Sequence, residues 1–209
     1  MEDTQAYPVQ YSVDYPDRDL NRLSTAFRLF TAIPILIVLG AVERWGGDYS
    51  NDNWSWGAST AGVLFLAPLL MILFRQKYPR WWFDWNLELL RLENRIGAYL
   101  ALLDDRYPST DEHQSVRLAF PYPDAQHDLN RWLPLVKWFL AIPHYIVLIF
   151  LWLAAIFSVI FAWFAILFTG RYPRGLFDFV VGVGRWTNRV IAYAFVLVTD
   201  RYPPFRLGP

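Results

Sequence analysis

The chain has no cysteine among its 209 residues. Disulfides, thiolate nucleophiles and cysteine metal sites are therefore excluded. The sequence also lacks H-E-x-x-H, G-x-S-x-G and a Walker loop, and Gly182-Val183-Gly184 is a glycine pair without the rest of a nucleotide fingerprint. These absences predict a protein that is not an enzyme.

Charge is also scarce and balanced, since 19 basic residues face 19 acidic ones. A neutral chain has no global field that attracts nucleic acid. The polar, acidic stretch from Met1 to Tyr15 is unlike a cleavable signal peptide. What the chain has in excess is apolar sequence, with 55% hydrophobic and 19% aromatic residues, which is high for a soluble protein and favours a membrane protein.

An internal repeat organises the sequence. Asp19-Leu20-Asn21-Arg22 returns as Asp128-Leu129-Asn130-Arg131, and Tyr78-Pro79-Arg80 returns as Tyr172-Pro173-Arg174. The polar stretch Glu43 to Gly57 has no counterpart in the second copy. We therefore expect two repeats, residues 1–108 and 109–209, each with a strand, two spanning helices and an amphipathic helix.

Long apolar runs supply the predicted spanning helices. Leu23 to Val42 is long enough to cross a hydrocarbon core of ~30 Å, and Ala58 to Phe74 is a second run after the polar loop. Trp132 to Phe168 is too long for one perpendicular span, so two helices with a tight turn near Leu151 to Ala155 are expected. The predicted fold class is an all-α membrane protein with two helical hairpins and about four transmembrane helices.

Shorter patterns predict the remaining elements. Charge returns on a helical period between Tyr78 and Asp105 and again after Tyr172, which indicates an amphipathic interfacial helix in each copy. Alternating apolar residues from Val9 to Val13 and from Val116 to Phe120 predict strands of a small extramembrane sheet, to which the tail Pro204 to Leu207 would add a third.

Basic residues at the helix ends predict the orientation. The paired helices would all carry them at one face, which should be cytoplasmic and hold both termini. They are Arg18, Arg22, Arg28, Arg75, Lys77, Arg80, Arg131, Lys137, Arg171 and Arg174.

The motifs Asn21-Arg22 and Ala32-Ile33-Pro34, with Asn130-Arg131 and Ala141-Ile142-Pro143-His144, carry a family resemblance. Together with the Asp-Arg-Tyr-Pro segments, they resemble the bacterial membrane family catalogued as domain of unknown function 4389. The resemblance spans both halves in tandem. It implies a multi-pass protein of the bacterial cytoplasmic membrane.

The candidate site residues are polar side chains near the predicted membrane surface. Arg22 and Arg131 follow helix-capping residues and can hold lipid phosphate or reach the interface as structural residues. Arg28 and Lys137 can reach headgroups or form ion pairs with Asp84 and Asp178. The repeated stripes are Asp84, Arg91, Asn94 and Arg95 in the first copy, and Asp178, Arg185, Asn188 and Arg189 in the second.

His144 is the one residue in a predicted span that can ligate a metal, haem or pigment by itself. Most lone membrane histidines form only hydrogen bonds, so no cofactor is predicted. His113 and His127 have no second ligand at a recognisable spacing, and a metal site is not expected.

The leading functional hypothesis is an accessory or scaffold subunit that packs against lipids and other membrane proteins, or against a second copy of itself. A small transporter or channel with a pathway between the repeats is the first alternative. A pigment- or cofactor-associated subunit using His144 and a lipid-directed membrane enzyme are further alternatives. No nucleic-acid partner is expected.

Overall fold

A computed structural model of the chain describes residues 7–44, 60–109 and 114–209. In these ranges the protein is mostly helical, with seven helices and a two-stranded sheet. The predicted helical fold with a small β element is therefore confirmed. The helices are α1 (Arg22–Ala26), α2 (Arg28–Arg44), α3 (Thr60–Arg75), α4 (Arg80–Leu100), α5 (Pro134–Leu140), α6 (Ile142–Thr169) and α7 (Arg174–Ala194).

The sheet joins the beginnings of the two halves. Strands β1 (Gln10–Val13) and β2 (Val116–Ala119) pair antiparallel, with Tyr11 opposite Leu118. Alternate residues are buried in both strands, as period-two patterning predicts. The predicted third strand is absent, because the tail after Pro203-Pro204 is irregular and its carbonyls bind side chains of α7.

The long apolar run of the second half forms α5 and α6, which meet at Ala141, and the hairpin turn predicted near Leu151 to Ala155 is not formed. Helix α6 continues without interruption through residues 151–155. This segment, Leu-Trp-Leu-Ala-Ala, contains no glycine, proline or other turn former. Twenty-eight residues at 1.5 Å per residue give a length of about 42 Å. Gly170, with φ of 76°, ends the helix in the left-handed conformation that favours glycine.

This single helix removes the basis for the predicted orientation. Arg131 and Lys137 lie before or at the start of the α5–α6 segment, whereas Arg171 and Arg174 follow its far end. These basic residues therefore flank opposite ends of a long helix. They do not mark one face of a helical pair.

In the first half, the predicted span Leu23 to Val42 corresponds to α1 and α2, which meet at Phe27. The predicted span Ala58 to Phe74 corresponds to α3. The predicted loop Glu43 to Gly57 falls mostly outside the described residues, although Glu43 itself is still in α2. His113 lies outside them as well.

The two amphipathic helices form the middle of the molecule. Helix α4 packs against β2 and α2, while α7 packs against β1 and α6. Most of α7 is buried for this reason, including Val183, Trp186 and Val190. The α4–α7 layer therefore contacts both the sheet and the long apolar helices.

Several contacts recur at matching positions of the two sequence copies. The Tyr15 hydroxyl donates to the Tyr172 carbonyl, and the Tyr122 hydroxyl donates to that of Tyr78. Asn94 and Asn188 exchange two side-chain hydrogen bonds of 2.9 and 2.7 Å. Each half also has a leucine with positive φ after its amphipathic helix, Leu102 at 63° and Leu197 at 62°.

Within the described ranges, α6 is the one helix long and apolar enough to cross a membrane. Only 17% of its most apolar window is buried inside the protein. Its exposed side chains include Phe150, Phe157, Phe161 and Phe168. A core helix of a soluble protein would instead be largely covered.

Candidate functional site

A buried cation occupies the same place in each half. The side chains of Arg28 and Lys137, which match in the repeat, are 2% and 0% exposed. Each lies near the beginning of a long apolar segment, and each reaches the turn that follows the amphipathic helix of its own half. We call these the first-half and second-half cation sites.

In the first-half site, Arg28 donates to two backbone carbonyls. One Nη1 bond goes to Tyr99 at 3.0 Å and another to Asp104. The guanidinium carbon also lies 4.3 Å from the centre of the Tyr99 ring. The planar group is therefore held by carbonyl dipoles and an aromatic face.

In the second-half site, Lys137 donates from Nζ to the Thr199 carbonyl at 2.8 Å. The same nitrogen forms an ion pair of 2.7 Å with Asp200. The ring of Tyr193, which matches Tyr99, lies 5.1 Å from it. The lysine thus uses one carbonyl and one carboxylate where the arginine uses two carbonyls.

These contacts correct the predicted ion pairs. Lys137 pairs with Asp200 and not with Asp178, and Arg28 uses carbonyls and not the Asp84 carboxylate. Asp84 is exposed and approaches Arg80 at 3.9 Å, while Asp178 is also exposed. Both aspartates lie on exposed faces of their helices, away from the buried cations.

The arginine stripes bind backbone carbonyls. Arg91 donates from Nε to Leu118 of β2 at 3.0 Å, and the matching Arg185 donates to Tyr11 of β1 at 3.1 Å. Each helix thereby holds the strand of the other half. Arg91 and Arg185 are half-buried, and these contacts tie each of them to the sheet.

The last arginine of each stripe holds the segment that follows its helix. Arg95 donates to the Ser109 carbonyl at 2.5 Å, and Arg189 donates to those of Arg206 at 3.2 Å and Gly208 at 2.9 Å. Arg189 is 2% exposed. Burial, with help from the charges of Arg206 and Arg185, lowers the pKa of its guanidinium.

The two predicted capping motifs behave differently from the buried cations. The Asn21 side chain accepts from the backbone amides of Leu23 and Ser24 at 3.0 and 3.1 Å, so it caps α1. Arg22 beside it is exposed, as is Arg131, which donates to Gln76 at 3.0 Å. These two arginines keep the surface position that headgroup contact requires.

His144 lies in an aromatic box that the first half lacks. Its Nδ1 accepts a 3.0 Å hydrogen bond from the Trp186 indole, and its ring stacks on Phe205 with centroids 4.0 Å apart. Tyr202 lies 4.8 Å away, and the matching first-half residue is Ile35. Since the indole can only donate, the proton of a neutral His144 sits on Nε2. That nitrogen then has no free lone pair, which argues against metal or haem ligation here.

A cleft of about 450 Å³ lies between α4, α6 and α7. Its walls are mostly apolar, with Ala155, Val159 and Val180 among them. Its polar part comes from Glu93, Thr187 and the Asn94–Asn188 pair. A larger polar groove beside the sheet is lined by paired charges, including Arg18 and Asp104. The described residues contain no group of three His, Asp or Glu side chains that could hold a metal.

Several residues of these sites were not singled out from the sequence. They are Tyr99, Tyr193, Thr199, Asp200, Trp186, Tyr202 and Phe205. The repeat offered a signal for some of them, because Tyr99 and Tyr193 match and Asp-Arg-Tyr-Pro occurs in both copies. Nothing in the spacing indicated that Trp186 would reach His144.

The fold and its buried cations define a mostly helical protein whose apolar helices are held on an amphipathic helical layer. Residues 132–206 match the family model described as Domain of unknown function (DUF4389). This match confirms the predicted family for the C-terminal part of the chain, while the tandem two-copy form stays a prediction. No curated protein and no solved structure matches the chain.

Proposed function

We propose that the protein is a membrane-embedded accessory or scaffold subunit without enzymatic activity. The observation that carries this proposal is the broad apolar surface of α2, α3 and α6. Soluble monomers rarely expose contiguous apolar patches above a few hundred Å². Phe30, Phe74 and Phe157 are 69%, 73% and 62% exposed, so three helices contribute to this surface.

The contacts of the described residues support a role in packing. The charged groups in the interior hold carbonyls or one another, as in both cation sites and both arginine stripes. They are thus engaged in holding the fold. The chemistry offered to a partner is an apolar and aromatic surface with basic residues at its ends, which fits lipids and apolar faces of membrane proteins.

A two-copy origin of the chain belongs to the same proposal. The matched cation sites and the reciprocal Asn94–Asn188 pair support it. So does the antiparallel pairing of β1 with β2, in which the matched residues Tyr11 and Leu118 stand opposite each other. An arrangement of this kind is what a pseudo-twofold axis through the sheet would produce.

Membrane extraction tests the first part of the proposal. Full-length protein should stay with the membrane pellet after an alkaline carbonate wash and should enter solution only with detergent. A washed supernatant that contains folded, monodisperse protein would contradict membrane embedding. A peripheral membrane protein in the same preparation, which the carbonate wash should release, provides the control.

Crosslinking in native membranes tests the scaffold role. Photoreactive groups at exposed apolar positions, such as Phe150 and Phe161, should capture a second membrane protein or a second copy. The matched control is a group at exposed Ser12 on the polar side of the sheet. If no protein is captured at any apolar position and the purified chain is a lone monomer in mild detergent, the scaffold role fails.

The cleft between the halves makes a transport pathway the second candidate. It is bordered by α4 of the first half and by α6 and α7 of the second. Its walls are mostly apolar, with Glu93 as the one charged residue among those that line it, and the Asn94–Asn188 bonds tie the two halves together across it. Liposome flux of ions and small polar solutes is therefore expected to stay at background, and flux well above empty liposomes would favour the transporter.

A further inference from the structure

We propose that the apolar helices lie in the plane of the membrane, immersed in one anionic leaflet, with the sheet in water. The proposal rests on the membrane location proposed above and specifies how the protein occupies the bilayer. In this arrangement α6 does not cross the membrane, although its length and composition would allow a crossing. The partner surface is a phospholipid leaflet with negatively charged headgroups.

The sheet lies beside the middle of α7. A Cβ atom on Gly184 would lie 3.0 Å from the Tyr11 ring, and Arg185 binds the Tyr11 carbonyl. Gly184 is the central residue of α7. In the other half, Arg91 near the centre of α4 binds Leu118. The sheet therefore lies over the middle of both amphipathic helices.

The middle of α6 lies against the middle of α7. Trp152 of α6 donates to Thr187 at 3.2 Å, and the cleft brings residues 152–160 of α6 opposite residues 180–191 of α7. These are the middle parts of both helices. The centre of α6 and the sheet are thus at the same level along the α6 axis.

Helix α6 can stand perpendicular to the bilayer or lie in its plane. If α6 stood perpendicular to the bilayer, the sheet would lie at the level of the hydrocarbon midplane. Each strand has one edge that no other strand covers, and unpaired backbone groups on such an edge are not tolerated in lipid. The exposed Asp14–Arg117 pair would be buried there too. With α6 in the membrane plane, the same groups face water.

Exposed basic residues lie at both ends of the layer of apolar helices. Gly170 after α6 lies beside Arg22, and Arg131 before α5 contacts Gln76 after α3. Other exposed basic residues are close to these contacts in the sequence. Arg75 and Lys77 flank Gln76, and Arg174 follows Gly170. In the in-plane arrangement both ends lie at the headgroup level of one leaflet, where basic residues attract anionic lipid.

Cysteine scanning tests the proposal directly, because the natural chain has no cysteine and gives no background. Spin labels at Ile146→Cys, Phe157→Cys and Phe168→Cys sample the start, middle and end of α6 at exposed positions. The full-length protein is placed in vesicles of phosphatidylcholine and phosphatidylglycerol. We expect the three labels to have similar, shallow depths. A profile that is deep at residue 157 and shallow at both ends would overturn the proposal.

The side of the membrane from which each cysteine can be labelled is a second measurement, independent of the depth profile. Arg131→Cys, Arg171→Cys and Ser12→Cys are exposed positions at the two ends of α6 and on the sheet. All three should react with a membrane-impermeant maleimide from the same side of sealed vesicles. Reaction of residues 131 and 171 from opposite sides would show that α6 spans. A residue 12 that reacts only after detergent is added would also contradict the proposal, because the sheet would be enclosed within the membrane.

These outcomes separate the orientation from the membrane location. Protein that leaves the vesicles in a carbonate wash contradicts the proposed membrane embedding as a whole. Protein that stays but shows the spanning depth profile contradicts only the in-plane arrangement. Vesicles of phosphatidylcholine alone are the lipid control, and weaker binding to them is expected if the basic ends engage anionic headgroups.

Discussion

The two halves of the molecule place a buried cation at the same point but hold it with different groups. Arg28 meets two carbonyls and the face of Tyr99, while Lys137 meets one carbonyl and the carboxylate of Asp200. A guanidinium presents several donors in one plane, whereas an ammonium is a compact point charge. What both halves require at this point is a cation that reaches the turn after the amphipathic helix.

The difference extends to the neighbouring carboxylates. Asp105, the match of Asp200, pairs with Arg18 and not with Arg28. The residue that matches Arg18 is His127, which instead contacts Asp124 at 2.8 Å. Equivalent positions have therefore exchanged partners while the charges stay paired.

The largest effect is expected for Lys137→Met. The change leaves the Asp200 carboxylate and the Thr199 carbonyl without their buried cation. Breaking one side of a buried pair costs about 3–5 kcal/mol, and we expect the lower end because Asp200 is 22% exposed. Thermal unfolding in detergent micelles measures the loss.

Its matched variant is Arg28→Met, which strands carbonyls but no carboxylate and should destabilise the fold less. The double change Lys137→Met with Asp200→Asn should recover part of the stability. Equal losses in the two single variants would show that the carboxylate does not distinguish the sites. The exposed Arg131→Met controls for removal of a positive charge.

The next effect is expected at the bond between the halves. Asn188→Leu leaves the Asn94 amide without its reciprocal partner, and an unsatisfied buried polar group costs about 1–3 kcal/mol. The double variant with Asn94→Leu should lose less than the sum of the single variants, as a double-mutant cycle measures. Strict additivity would mean that the two amides do not stabilise each other.

A smaller effect is expected for Trp186→Phe in the aromatic box of the second half. The change removes the donor to His144 Nδ1, which corresponds to about 1 kcal/mol of stability. Nitrogen NMR of labelled histidine should show the Nε2–H tautomer in the natural protein and a mixture in the variant. A haem or pigment that binds the natural protein through His144 would contradict the hydrogen-bonded assignment. Trp152→Phe is the control, since its indole bonds to Thr187 instead.

The sequence predicted elements better than it predicted contacts. Period-two alternation located β1 and β2, and the return of charge on a helical period located α4 and α7. The turn predicted near Leu151 to Ala155 was wrong because this segment contains no residue that ends a helix, so α6 continues through it. Pairing Lys137 with Asp178 was wrong because residues in different elements have no spacing rule that fixes their distance.

A still smaller effect is expected at Asp178 and Asp84. The ion pairs that the sequence predicts for them would give a larger one. Asp178 and Asp84 are exposed, so Asp178→Ala and Asp84→Ala should each change stability by no more than about 0.5 kcal/mol. Denaturant unfolding of both variants beside Lys137→Met provides the measurement. A loss at Asp178 similar to that at residue 137 would restore the original ion pair and contradict the geometry of the second-half site.

The smallest effect concerns the exposed contact between His127 and Asp124. The Asp124 side chain raises the pKa of His127 above its ordinary value of 6.5, and His127 lowers that of Asp124 below 3.8. A raised histidine pKa contributes stability that is present below 6.5 and is lost as pH rises through the folded-state value. A lowered aspartate pKa contributes stability that is present above 3.8 and is lost as pH falls through its folded-state value. The contact should therefore be strongest in mildly acidic solution.

Proton NMR titration of the His127 ring measures this shift, and Asp124→Asn should return the pKa towards its ordinary value. Because the pair is fully exposed, added salt should also weaken the shift. The first half gives the matched comparison, since Asp105 pairs there with Arg18 and no histidine takes part in that contact. A His127 pKa that is the same with and without the Asp124 carboxylate would show that the exchange of partners between the halves has no electrostatic consequence at this position.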